Sequence, residues 1–172
     1  DEIAAGAIDA AHLASGVGGL YSSVAIICDS KAYNANGGTF TSGDWRTRDL
    51  NRELIDADGI VSISSNQFTL AAGTYTVDWS APAYKVNRHS TRLYNATDTA
   101  VINYGSIAFT YDNDYVTTTS IGSSTFTLGG SKALEIQHRC VTTAADEGLG
   151  NSQTTDSGAV SIYALVKILK HS

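Results

Sequence analysis

The stretch SIYALVKILK, from Ser161 to Lys170, has the pattern that decides the fold. Successive side chains of a β-strand point to opposite faces, so every second residue shares a face. One face is entirely apolar and consists of Ile162, Ala164, Val166 and Ile168. The opposite face is nearly as apolar, with Tyr163, Leu165 and Leu169 interrupted by Lys167. The outer face of an antiparallel sandwich is usually polar, so this strand predicts either a covering loop or a second subunit, and we favour the subunit.

A second segment, from Val101 to Tyr111, shows the same two-sided apolarity. Its apolar residues are Val101, Ile102, Tyr104, Ile107, Ala108, Phe109 and Tyr111. Apolar surface of this extent is typical of contacts between subunits. The predicted inter-subunit surface consists of Tyr104, Phe109, Tyr163, Leu165, Lys167 and Leu169.

Short alternating runs recur between clusters of turn residues and predict an all-β, antiparallel two-sheet sandwich of roughly eight to ten strands. The predicted runs are Tyr21 to Cys28, Gly38 to Thr41, Ile60 to Ile63, Gln67 to Leu70, Thr74 to Ala81, Lys85 to Tyr94, Ala100 to Tyr111, Val116 to Ile121, Thr125 to Leu128, Lys132 to Val141 and Ser161 to Leu169. Pro82 is expected to end a strand, because proline cannot donate to a central ladder. The segment Arg48 to Ile55 is predicted to form one helical turn.

Composition excludes several classes of protein. The chain has 172 residues, of which 16% are charged, and its net charge is −6. This length fits one compact domain, and the low charge is unlike a helical bundle or a disordered chain. The acidic balance leaves no basic stripe for nucleic acid, and no apolar run approaches the roughly 20 residues that span a bilayer. Neither nucleic acid nor membrane insertion is expected.

The first residues differ from the rest. Residues 1–19, DEIAAGAIDAAHLASGVGG, are Ala-rich, with large apolar residues spaced about five apart. This spacing suits a stem or neck that is stable when copies pack side by side, or else a frayed tail. The predicted division is a stem over 1–19 and a globular head over 20–172. A chain that starts at Asp1 and lacks Met is expected to be part of a longer polypeptide.

The two cysteines each close an alternating apolar run. Cys28 follows Val24 and Ile26, and Cys140 follows Ile136 and His138. We favour two buried thiols, since a buried free cysteine behaves as a small hydrophobic residue, while a bond between facing sheets remains open.

Motifs of enzyme chemistry are absent where they would be recognisable, and no enzymatic activity or cofactor is predicted. His138 is expected to face the core. The local carboxylate pairs are Asp112 with Asp114 and Asp146 with Glu147. They are loop acids, typical of solvated residues or of a calcium site, although two carboxylates could also hydrolyse a glycosidic bond.

The loops are better candidates for function. A planar aromatic ring beside amide and carboxylate groups is the arrangement that stacks on a sugar and binds its hydroxyls. The candidate ligand-binding residues are Tyr33, Asn36, Trp45, Tyr111, Asp112, Asn113, Asp114, Tyr115, Asp146, Glu147 and Asn151.

A series of motifs resembles the C-terminal domains of bacteriophage tail fibres and spikes. They are FTLAAGTYTVDWSAPAY (Phe68 to Tyr84), RLYNATD (Arg92 to Asp98), YGS (Tyr104 to Ser106), WRTRDLN (Trp45 to Asn51), LEIQHRC (Leu134 to Cys140), a glycine-containing loop with Gly148 and Gly150, and the closing SIYALVKIL. The segment IAAGAIDAAHLASGVGG is similar to the shaft repeats that precede such tips.

That family is similar to the tumour-necrosis-factor and complement globular heads, a two-sheet jelly roll that assembles as a homotrimer. The resemblance implies that the closing strand and the Val101 to Phe109 strand approach the trimer axis. It also implies a virion protein whose exposed loops adsorb to a receptor on the host surface, commonly a glycan. Two alternatives are a structural cap that trimerises an upstream shaft and a glycan depolymerase using Asp112, Asp114, Asp146 or Glu147.

Overall fold

The computed structural model describes residues 19–111, 115–152 and 158–172. The predicted stem lies outside these residues, apart from Gly19. Within the described ranges the chain forms eleven strands in two antiparallel sheets. The first sheet has the order β3 (Arg52–Asp56), β1 (Tyr21–Lys31), β11 (Ser161–His171), β6 (Gly73–Tyr84) and β9 (Thr117–Leu128). The second has the order β4 (Val61–Ser64), β5 (Gln67–Leu70), β10 (Lys132–Cys140), β7 (Asn87–Asn95) and β8 (Ala100–Thr110), with β2 (Arg46–Thr47) paired to β10.

The two sheets face each other, and the chain repeatedly changes sheet, as a jelly roll requires. The core between them takes alternate residues of the central strands. Its members include Ile27, Phe68, Leu70, Tyr75, Val77, Trp79, Leu93, Leu134, Ile136, Val166 and Ile168, all buried. The predicted all-β sandwich is therefore confirmed.

Trp79 shows how closely the core is packed. Its indole Nε1 donates to Thr91 Oγ1 on the opposite sheet over 2.8 Å. A Cβ on Gly122 of the neighbouring strand β9 would lie 2.1 Å from the indole ring. The indole ring of Trp79 therefore occupies the space that a side chain on Gly122 would need.

The sheets meet along the edge formed by β8 and β9. Ser120 Oγ donates to the Ser106 carbonyl over 2.6 Å, and the Ile121 amide donates to Ser106 Oγ over 3.0 Å. These bonds close one side of the sandwich, so that β8 and β9 present a continuous outer edge.

Several predicted boundaries are wrong for reasons of long-range pairing. Strand β6 does not end at Pro82 but continues to Tyr84. Its pairing with β11 stops at Ser80, so Pro82 has a paired strand, β9, on one side only. The segment Arg48 to Ile55 is not the predicted helical turn: residues 48–51 form no regular element, and the rest belongs to strand β3, which pairs with β1. Residues 38–41 form no strand, although Phe40 makes one isolated bridge with Ala144. The two predicted runs between Val116 and Leu128 are one strand, β9.

The residues of strand β1 that face the core differ from the predicted ones. Ala25 and Ile27 belong to the core, whereas Val24 is exposed. Cys28 and Cys140 are nevertheless both buried and both free, as we favoured. Burial raises the pKa of the Cys140 thiol to about 11, so this sulfur stays protonated.

The described ranges contain no helix with the length and apolar composition needed to span a bilayer.

Candidate functional site

Four of the candidate loop residues pair with one another at one end of the sandwich, and a fifth, Tyr115, is joined to them through Lys85. Asn36 Nδ2 donates to Asp146 Oδ2 over 2.7 Å. Asn151 Nδ2 donates to Glu147 Oε2 over 2.8 Å. These four side chains, together with Lys85 and Tyr115, are called the loop cluster below.

Lys85 connects the parts of the loop cluster. Its Nζ lies 3.1 Å from Glu147 Oε1 and 4.6 Å from the centroid of the Tyr115 ring. The hydrogen bond to Glu147 raises the pKa of Lys85, so the ammonium stays charged. The sequence placed Tyr115 and Glu147 among the candidates but missed Lys85, whose contacts come from residues far away in the chain.

Backbone hydrogen bonds also join the two loops that carry the cluster. The Gly37 amide donates to the Gly150 carbonyl, and the Gly38 amide donates to the Asp146 carbonyl, each over 2.8 Å. Gly150 has a φ of +139°, and a Cβ there would lie 2.2 Å from the Tyr163 ring. The two loops are thus held together before any ligand arrives.

A buried arginine supports the cluster from below. Arg48 is fully buried, and its Nη1 and Nη2 donate to the carbonyls of Pro82 and Leu149 over 3.3 and 3.0 Å. Burial lowers the pKa of Arg48 to about 10, which the nearby charges of Asp29 and Asp49 partly offset. Burial also raises the pKa of Asp29, whose carboxylate lies 3.1 Å from the Lys31 ammonium.

Two histidines form a buried pair beside Arg48. His89 Nδ1 lies 2.9 Å from His138 Nε2, and His89 Nε2 lies 2.9 Å from Thr118 Oγ1. Burial, followed by the charge of Arg48, lowers the pKa of His89 to about 4 and lowers that of His138 as well. Both rings are therefore neutral at pH 7. The prediction that His138 faces the core is confirmed.

The other candidate loop residues do not join the loop cluster. Trp45 lies over the outer face of the second sheet, with its ring centroid 4.3 Å from the Arg92 guanidinium. Tyr33 is exposed, and Tyr111 packs edge-on against Phe109. Asp112, Asn113 and Asp114 lie outside the described residues.

The predicted inter-subunit residues divide between two surfaces. Tyr104 and Phe109 are exposed on β8, at 60% and 45% of their full areas. Leu165, Lys167 and Leu169 lie on the outer face of β11, where the Lys167 ammonium is 4.0 Å from Asp78.

Tyr163 does not belong to this surface, and its predicted outward orientation is wrong. The register between β1 and β11 shifts opposite it, so Tyr163 and Ala164 are both buried while Ile162 is exposed. The Tyr163 hydroxyl donates to the Ala35 carbonyl over 2.6 Å. This residue supports the loop cluster from within the same chain.

Metal-binding side chains are not grouped in the described part of the chain. There, no three His, Cys, Asp or Glu residues lie close enough together to hold an ion. Calcium in the acidic loops stays a prediction, because Asp112 and Asp114 lie outside that part.

Comparisons with known proteins support the fold. No protein-family model matches the chain, and no curated protein matches its sequence. Among solved structures, murine APRIL at pH 5.0 is similar, with a TM-score of 0.55, 8% identity and coverage of 86% of this chain and 98% of that one.

Two further solved structures give the same result. The globular domain of zebrafish complement 1qA has a TM-score of 0.53 and 17% identity, covering 86% of this chain and 95% of that one. The Eiger TNF from S. frugiperda has a TM-score of 0.53 and 11% identity, covering 88% and 94%. The chain therefore has the jelly-roll fold of tumour-necrosis-factor and C1q globular heads.

Proposed function

We propose that this chain is the homotrimeric, receptor-binding head of a phage fibre or phage-like spike, and that it adsorbs to a saccharide on the host surface. One observation carries the assembly part of this proposal: large apolar side chains are exposed on two separate surfaces of one protomer. The resemblance of the sequence to phage fibre tips is the basis of the receptor part.

The first surface, here called the edge surface, consists of Tyr104, Ile107 and Phe109 on β8 and Ile121 on β9. The second, here called the β11 face, consists of Val24, Leu165, Lys167 and Leu169. Strand β6 separates them with the polar residues Thr76, Asp78 and Ser80.

Two different apolar surfaces on one chain suit a heterologous contact, in which the edge surface of one copy packs on the β11 face of the next. Such contacts form a closed ring when the rotation between copies divides a full turn, and the family that the sequence resembles forms rings of three. Each contact removes apolar surface from water, which stabilises the assembly by about 25 cal/mol for each Å² buried. Three weak sites on one trimer would then bind a surface by avidity.

The described loop carboxylates, Asp146 and Glu147, argue against hydrolysis. Glycoside hydrolysis uses two carboxyl groups that are free to exchange protons in a cleft. Asp146 accepts a hydrogen bond from Asn36, and Glu147 is paired with Lys85 and Asn151. We therefore propose a non-enzymatic virion protein that needs no cofactor for adsorption.

A structural cap is the second candidate, and the loop cluster favours it. The polar side chains of that cluster bind one another, as a rigid end-piece for a trimeric shaft would require. A cap of this kind would trimerise without adsorbing to cells.

The assembly is tested by light scattering of the protein at micromolar concentration, where we expect three times the protomer mass. Ile121→Asp on the edge surface and Leu165→Asp on the β11 face should each give monomers, because an aspartate would be buried in every contact. Ser62→Asp, at an exposed position of strand β4, is the control and should remain trimeric.

Mixing the two variants tests the heterologous geometry. The intact edge surface of the Leu165→Asp chain can pack on the intact β11 face of the Ile121→Asp chain, so equal amounts should form one-to-one dimers. A monomeric wild-type protein would contradict the proposed assembly.

Adsorption is tested by sedimenting host cells with labelled trimer. Saturable binding supports the receptor-binding head. A folded trimer that binds no host cell or glycan would favour the structural cap instead.

A further inference from the structure

Two arginines lie close together on the outer face of the second sheet. Arg139 on β10 pairs with Ser90 on β7, and the Val141 amide donates to the Arg88 carbonyl over 3.0 Å. Arg88 and Arg139 are therefore diagonal neighbours on one sheet face, a relation that puts Cα atoms roughly 7–8 Å apart. These two residues are called the arginine pair below.

The arginine pair has no carboxylate partner among the described residues. Ion pairs in those residues use Lys31, Lys85, Lys132 and Lys167. Arg88 contacts the Phe109 ring at 5.9 Å. Like charges on adjacent strands repel each other, and acids are in excess in this chain, 17 against 11 Lys and Arg. An unneutralised pair of guanidinium groups is therefore a site that favours an anion.

An open cavity of about 450 Å³ lies at the arginine pair. Its lining includes Ser90, which is paired with Arg139 on the neighbouring strand, together with Gly43, Ile107 and Val141. Ile107 belongs to the edge surface and is covered in the proposed trimer, whereas Val141, exposed at 61%, lies outside that contact. The cavity thus combines two planar cationic groups with the apolar side chain of Val141 at its border.

From this combination we infer that the arginine pair binds the acidic group, a carboxylate or a sulfate, of a receptor saccharide. Guanidinium groups bind planar or tetrahedral oxyanions through paired hydrogen bonds. The apolar border would contact the C–H face of the sugar ring. This inference rests on the proposed function, and it places the receptor site on a strand face rather than in the loop cluster.

The site is tested by immobilising three probes: oligogalacturonate for carboxylate, dextran sulfate for sulfate, and neutral dextran. The wild-type protein should bind at least one acidic probe, more weakly as salt rises, and should ignore neutral dextran. The double variant Arg88→Gln/Arg139→Gln should lose affinity by about tenfold or more.

Two controls separate a built site from general attraction. Arg52→Gln/Arg46→Gln removes the same charge from exposed arginines outside the cavity and should stay within about twofold of wild type. Arg88→Lys/Arg139→Lys keeps the charge but lacks the paired donors, and it should bind with intermediate affinity.

Equal binding by the wild type and the Gln double variant would overturn the site, as would wild-type binding to neutral dextran alone. A wild-type protein that adsorbs to host cells but binds neither acidic probe would also overturn the site while leaving the proposed function intact. Failure of the proposed function has a different signature, a folded protein that adsorbs to no host cell or glycan.

Discussion

The loop cluster and the arginine pair contrast in how their polar groups are used. In the loop cluster, the polar side chains form hydrogen bonds with each other. Asn36 pairs with Asp146, and Glu147 pairs with Asn151 and Lys85. In the arginine pair, two charges face solvent without a carboxylate among the described residues. A loop rich in polar residues is therefore not by itself a binding site. Free hydrogen-bonding capacity, which depends on the fold, is the better indicator.

The largest effect should come from removing the support under the loop cluster. Arg48→Met leaves the Pro82 and Leu149 carbonyls without their donor and removes the positive charge that offsets buried Asp29. Breaking a buried charged network typically costs about 3–5 kcal/mol of unfolding free energy. Urea denaturation measures this loss. Arg52→Met, at an exposed position, should stay near wild type, and equal stability of the two variants would contradict this account.

A smaller effect should come from filling the space behind the loop cluster. Gly150→Ala would place a Cβ against the Tyr163 ring at a φ of +139°, a conformation that residues with side chains rarely adopt. The expected cost is about 1–3 kcal/mol. Thermal unfolding measures it, with Gly129→Ala as the control because no atom lies within 4 Å of its Cβ position. A stable Gly150→Ala protein would mean that the loops can separate.

Acid should weaken the structure beneath both regions. The pKa of His89 is about 4 in the folded chain, below the ordinary 6.5. As pH falls below 6.5 the unfolded chain takes up a proton that the folded chain excludes, so stability falls until about pH 4. The raised pKa of Asp29 acts in the opposite direction, since its protonation in acid relieves a buried charge.

The measurement is Tm by circular dichroism at pH 7 and pH 5, where we expect a fall of roughly 5 °C. His89→Asn should reduce this fall, because one of the two buried histidines with a lowered pKa is gone. His171→Asn at the end of β11 should keep it. If the pH dependence of Tm is unchanged in His89→Asn, the acid sensitivity comes from other groups.

The smallest effect on stability should come from the arginine pair. Arg88→Gln/Arg139→Gln removes repulsion between exposed charges and should change the unfolding free energy by less than about 0.5 kcal/mol. The same urea experiment that detects Arg48→Met measures it. A loss comparable with that of Arg48→Met would show that the arginine pair is part of the framework, and would remove the contrast between the two regions.

Local periodicity predicted the fold well where strands are regular. The limits of β5, Gln67–Leu70, match the prediction, and Val166 and Ile168 lie on the buried face that alternation assigned to them. Alternation failed at Tyr163 because β11 has an extra residue there. Tyr163 and Ala164 together lie opposite Asp29 of β1, and such a bulge interrupts the alternation of faces along its strand.

The candidate site was harder to predict, because its contacts join distant parts of the chain. Asn36 and Asp146 bind each other across 110 residues, and Lys85 reaches Glu147 across 62. The residue types in the loops were visible in the sequence, but their partners depend on the strand order. Arg88 lies close to His89 and Arg92 in the sequence, whereas its proximity to Arg139 depends on the pairing of β7 with β10.

The placement of sulfur in this chain has a consequence for chemical durability. The sequence has no methionine, and both cysteine thiols are buried in the described structure. Oxidants act first on exposed thiolates and accessible thioethers, and the folded chain offers neither. Peroxide at concentrations that oxidise exposed sulfur should therefore leave the mass of the folded protein unchanged.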